Sequence, residues 1–116
     1  MQLIPILVVD DYQAALDFYV EAFRATTLMS VGDTTQMQVQ DQVFAVRKSD
    51  ENNRAGESEN ILLLIETAAP DVVEQDALKH GAHIITPVED REAGVRAGRF
   101  RDPFGIQWIV STKHHQ

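Results

Sequence analysis

An α+β fold made of two βαβββ modules is predicted by three observations. The apolar run 3–9 is followed by a stretch with helical periodicity, 12–23, and then by three short strand-like runs. The same order restarts after a polar interruption, with Val9 and Ile65 aligning 56 positions apart, close to half of the 116-residue chain. The second copy ends on Arg101-Asp102-Pro103-Phe104-Gly105, a tight-turn sequence that leads into the bulky β-formers Ile106 to Val110. One such module covers one face of its sheet with its helix and leaves the other bare. Two of them predict one domain over 1–116, an incompletely closed eight-stranded sheet whose concave cleft is the place for a ligand.

The elements follow in order. The run 3–9 is too short for a helix and β-branched enough for a buried strand, with Pro5 marking an edge or irregular start. Asp11 is placed to cap the helix 12–23, whose Ala15, Phe18, Tyr19, Ala22 and Phe23 form an apolar stripe, and Arg24 suits the dipole at its end. Strands are expected at 26–31, 35–39 and 43–47; the middle one alternates Thr34, Gln36, Gln38 and Gln40 with Thr35, Met37 and Val39, so one of its faces is wetter. The first module spans 1–48, and 49–59 is an acidic loop without periodicity. The second module spans 60–112. It has a strand at 61–65, then a helix with Asp71 as N-cap and Glu74 at capping-box spacing, which stops at Gly81. A strand at 82–86 ends at Pro87, a charged loop covers 89–94, and 95–101 with 106–112 form the closing hairpin. Residues 113–116 form a tail.

Composition narrows the function classes. Eighteen acidic against ten basic residues give a net charge of −8, which opposes binding to nucleic acid and to anionic membranes. The absence of cysteine removes disulfides, thiolate nucleophiles and thiolate metal sites together. No stretch approaches the ~20 apolar residues that span a bilayer, and the N-terminus lacks signal-peptide features, so a cytoplasmic protein is expected. There is no glycine-rich phosphate loop.

Three stretches resemble the vicinal oxygen chelate superfamily of glyoxalase I, extradiol dioxygenases, fosfomycin resistance enzymes and bleomycin resistance proteins. Ile4 to Asp11 with Ala15 to Tyr19 and Phe23 is similar to its first strand and helix. Asp71 to Ala82 is similar to its second helix, and Arg101 to Gly105 to the Asp-Pro-x-Gly turn before its last strand. The resemblance implies the duplicated fold and a homodimer. It also implies a divalent metal held by His, Gln or Glu from the first, fifth and last strands. Those positions fall here on Ile4, on Asn60 or Leu62, and on Ile109. None of these is a His or a carboxylate and isoleucine offers no donor atom, so no metal and no cofactor are expected. His80 is explained by its helix end, His83 opens a strand, and His114 and His115 lie in the tail.

With the family's ligand positions fixing parity, Ile4, Ile6 and Val8 are expected in the cleft, together with Asn60, Leu62, Leu64, Glu66, Gln107, Ile109 and Ser111. Trp108 and Val110 then pack under a helix. Arg99 and Arg101 flank the closing turn, where pairing with acids such as Asp102 is expected ahead of contact with an anionic ligand. The expected function is metal-independent binding of a small molecule, a cationic or aromatic compound sequestered without chemistry as by bleomycin resistance proteins. The alternatives are a metal-dependent lyase, isomerase or dioxygenase of the same superfamily, and a ligand-free regulatory or structural dimer.

Overall fold

Alternation along the first apolar run decides how it is used. The computed structural model describes residues 1–56 and 61–112. In it the run pairs over β1, Ile6–Val9, with Leu7 and Val9 buried and Ile6 exposed. Pro5 has no N–H to donate, so the strand is shorter than 3–9, although the Pro5 carbonyl still accepts from the Ala45 N–H at 2.9 Å. The Asp11 carboxylate accepts the Ala14 N–H at 3.1 Å and starts α1, Tyr12–Phe23, as a side-chain N-cap. Arg24 ends the helix in the left-handed region, with φ of 61°.

Three strands complete the first unit: β2, Thr26–Val31; β3, Thr34–Val39; and β4, Gln42–Lys48. The sheet order is β1-β4-β3-β2, with β1 parallel to β4 and the other pairs antiparallel. Its core is aromatic: Phe18, Tyr19, Phe23 and Phe44 have ring centroids 5.3 to 5.7 Å apart. Each such ring contributes about 1.5–3 kcal/mol by leaving water. The Tyr12 hydroxyl bonds the Thr35 hydroxyl, which also bonds Ser30 at 2.8 Å, so α1 is tied to β3 and β2 through the buried Thr35.

The second unit repeats the topology with β5, Leu63–Glu66; α2, Pro70–Lys79; β6, His83–Asp90; a 3₁₀ turn, Glu92–Gly94; β7, Arg96–Arg101; and β8, Gln107–Ser111. Its order is β5-β8-β7-β6, with β5 parallel to β8. The eight strands thus form two four-stranded sheets, and the chain divides into two units, Met1–Gly56 and Glu57–Gln116.

The start of α2 departs from the expected capping box. Ala69 is the N-cap, without a side-chain bond, and Pro70 occupies the first turn, where its fixed φ suits a helix and its missing N–H costs nothing. Both acids intended for the cap are engaged elsewhere. Asp71 accepts two bonds from the Arg96 guanidinium, at 2.7 and 2.8 Å, and this hydrogen bonding holds its carboxyl below the usual 3.8. Glu74 is buried and accepts the Val88 N–H at 2.7 Å, pinning the helix to β6. Gly81, with φ of 102°, follows the helix end as predicted.

β6 does not stop at Pro87. It runs to Asp90 through two register shifts, between Ile84 and Thr86 and between Thr86 and Glu89, which an edge strand tolerates. Opposite the irregular part lies Gly98, where an added Cβ would sit 2.7 Å from the Val88 nitrogen and 2.8 Å from its Cα. The residues 89–94, expected as a loop, are therefore divided between the end of β6 and the short 3₁₀ turn.

The closing turn is held by one side chain. The Asp102 carboxylate accepts the N–H of Phe104 at 2.9 Å and of Ile106 at 3.0 Å through Oδ1, and the Trp108 indole N–H at 2.9 Å through Oδ2. Trp108 is thereby buried with Phe100 and Val110 in the core of this unit. Replacing Asp102 by Ala strands all three donors, and urea denaturation is expected to show a loss of about 3–5 kcal/mol, with a smaller loss for Asp102→Asn. The Gly98→Ala substitution forces the Val88 backbone to move, and the same measurement is expected to show a loss of about 1–3 kcal/mol.

Candidate functional site

Residues paired across a ladder project to the same face of a sheet. In the second unit Leu64 pairs with Ile109 and Ile109 with Arg99; Glu66 pairs with Ser111 and Ser111 with Ala97; Gln107 pairs with Arg101. The other face carries Gly98, Phe100, Trp108 and Val110, all buried. Leu64, Glu66, Gln107, Ile109 and Ser111 therefore share the face turned away from that core. On it Leu64 is 53% exposed and Glu66 exposed, whereas Gln107 and Ser111 are buried.

In the first unit Ile6 pairs with Ala45 and Val8 with Arg47, and these strand residues continue to Gln36 and Thr34. Ile6 is 55% exposed and Val8 half-buried. Ile4 lies two residues before the β1 ladder begins and is half-buried, and Leu62 lies one residue before the β5 ladder and is exposed. Asn60, the remaining candidate, lies outside the described residues, as do His114 and His115. The described candidates thus separate into two groups, Ile4, Ile6 and Val8 with one sheet and Leu62, Leu64, Glu66, Gln107, Ile109 and Ser111 with the other.

Several polar residues on these faces are absent from the sequence-based set. Arg47 shares a face with Val8 and donates to the Thr34 hydroxyl at 3.2 Å and the Asp50 carboxylate at 3.4 Å. Gln36 and Gln38 lie on the same face, half-buried. Their signal is the wet alternation of 34–40, which says that one face is polar but not which one. Arg99 departs from the expected pairing with Asp102. Its Nε–H donates to Gln107 Oε1 at 2.9 Å, while the Asp102 carboxylate is engaged in the turn.

The donor chemistry does not fit the metal that the resemblance implies. Ile4, Leu62 and Ile109 have hydrocarbon side chains, Asn60, the alternative to Leu62, would supply a single amide oxygen, and a divalent ion needs several oxygen or nitrogen ligands. Among the described residues no three His, Cys, Asp or Glu side chains are grouped to hold one. His80 has its Nδ1 2.8 Å from the Asp76 carbonyl at the end of α2, and His83 is exposed at the start of β6. Among the described residues no helix is long and apolar enough to cross a membrane.

Residues 3–110 match the family model described as Glyoxalase/Bleomycin resistance protein/Dioxygenase superfamily. An uncharacterized protein of Mycobacterium bovis is 33% identical over 120 residues, covering 91% of this chain and 79% of its own length. Among solved structures, a protein of unknown function from Agrobacterium tumefaciens is similar with a TM-score of 0.77 at 25% identity, over 98% of this chain and 95% of its own. The fosfomycin resistance protein FosX of Mesorhizobium loti has the same fold, with a TM-score of 0.74 at 18% identity over 98% and 92% of the two chains.

The two faces of the second sheet make unequal demands on packing. Val110 is fully buried, so Val110→Ala is expected to cost about 2 kcal/mol or more, and Leu64→Ala less than about 1 kcal/mol, by chemical denaturation. Equal losses would contradict this assignment of faces.

Proposed function

Because the chain belongs to the glyoxalase/bleomycin resistance protein/dioxygenase superfamily, we propose that it is a metal-independent small-molecule-binding protein. The observation that carries this reading is that the ligand positions implied by the resemblance fall on Ile4, Asn60 or Leu62, and Ile109, none a His or a carboxylate, with Ile6 and Leu64 exposed beside them. Apolar side chains left exposed on a sheet face cost solubility, and they are accounted for by a ligand that covers them. The ligand is an aromatic or otherwise flat apolar compound that lies on those side chains and leaves unchanged. A homodimer in the cytoplasm is part of the same proposal.

The acidic balance of the whole chain favours a cationic compound at long range. That field is screened beyond about 8 Å at physiological salt, so the groups on the face decide which charge is held at contact.

Metal analysis and thermal denaturation of the purified chain test the proposal together. A panel of aromatic cations, anions and neutral compounds is expected to contain members that raise Tm, because a ligand that binds only the folded state stabilises it. The rise is expected to be the same with and without a chelator. Stoichiometric zinc, nickel, manganese or iron that survives mild chelation would instead favour a metal-dependent lyase, isomerase or dioxygenase. A panel without any shift would favour a ligand-free dimer.

A further inference from the structure

We infer that Arg99, braced by Gln107, receives an oxyanion of the ligand, so that the second sheet binds an apolar molecule ending in a carboxylate or phosphonate. This rests on the reading of the chain as a small-molecule binder and names the chemical class that it takes.

The bond between Arg99 and Gln107 uses only Nε–H of the guanidinium. The two terminal nitrogens carry four more N–H groups, and they have no partner among the described residues. The fork they form is complementary to two oxygens of one anion. Accepting from Nε–H also fixes the amide of Gln107 with its oxygen toward Arg99, which leaves its NH₂ as a further donor beside the guanidinium. Gln107 is only 6% exposed, so the brace is held by packing. A guanidinium already fixed at Nε loses little freedom when an anion arrives.

Among the described residues no carboxylate forms an ion pair with this cation. Asp102 is engaged by three N–H groups of the turn and the indole. Glu66 stands in the neighbouring cross-strand row, opposite Ser111, and is not ion-paired with Arg99. In contrast Arg96, on the same strand, meets both Asp71 and Asp90. The difference between the two arginines is that one is tied to the structure by acids and the other is left open on the face with the exposed apolar side chains.

The row itself gives the shape of the ligand. Arg99, Ile109 and Leu64 are successive cross-strand partners, so an apolar body resting on Ile109 and Leu64 has its anionic end at Arg99. Adjacent strands are about 4.8 Å apart, which puts the ends of the row about 10 Å apart. That length accommodates one aromatic ring and a short alkyl chain with the acid at its end.

The test uses the full-length chain, isotope-labelled, titrated by NMR with 4-phenylbutyrate, 3-phenylpropylphosphonate, 4-phenylbutanamide and 4-phenylbutylamine. Either acid is expected to bind about tenfold more tightly than the amide, with shifts at Leu64, Arg99, Gln107 and Ile109. The tighter of the two acids identifies the headgroup. Arg99→Gln is expected to abolish the preference while the amide binds as before, Arg99→Lys to retain part of it, and Gln107→Met to weaken it through loss of the brace. Equal binding of acid and amide, preference for the amine, or an Arg99→Gln variant that keeps the preference overturns this inference and leaves small-molecule binding standing. If none of the four probes shifts any of these resonances, the assignment of this face to a ligand is overturned as well.

Discussion

The engagement of the Asp102 carboxylate by three N–H groups sets the alignment on which the second unit depends. A side chain that accepts from Phe104, Ile106 and the Trp108 indole allows one path for the turn and one offset between β7 and β8. Side chains alternate along a strand, so a slip of one residue would exchange the two faces of β8 entirely. Trp108 and Val110 would then stand in the place of Gln107 and Ile109. The bracing of Arg99 by Gln107 and the alignment of Leu64 with Ile109 are thus consequences of one anchored turn.

Much of this arrangement is legible in the sequence because it is local. The repeated order of elements, the Asp11 cap, the glycine after α2 and the turn at Asp102 all depend on residues close together in the chain. The start of α2 is not legible in this way. Asp71 and Glu74 have the spacing of a capping box, but Arg96 and the Val88 N–H, both distant in sequence, compete for those carboxylates and win. β6 passes through Pro87 because it is an edge strand, and edge position is a property of sheet order. The same limit applies to the site. Period two in 34–40 reveals a polar face, but only the pairing of Gln36 with Ala45, and of Ala45 with Ile6, shows which apolar residues share it. The partner of Arg99 was likewise hidden, since Asp102 is the nearer of the two in sequence and only the folded turn shows that its carboxylate is occupied.

The relation to the family is one of retained scaffold and altered side chains. The model of the superfamily matches residues 3–110, and the positions to which the resemblance assigns its metal ligands carry Ile4, Asn60 or Leu62, and Ile109. A shared fold leaves the activity to be decided by the side chains it presents. On the proposed reading, hydrocarbon at those positions makes the face an apolar surface bordered by Arg99 and Gln107.

The parallel pairing of β5 with β8 has a consequence for how the second unit assembles. The β7–β8 hairpin closes only the short turn 102–106, whereas β5 reaches β8 across α2, β6 and β7. Closing the longer loop costs more chain entropy, by about 0.6 kcal/mol for each doubling of length. The hairpin is therefore the cheaper structure to nucleate, and β5 adds to an edge whose alternation has already been decided. Leu64 and Glu66 inherit their side of the sheet from a template formed at the opposite end of the unit.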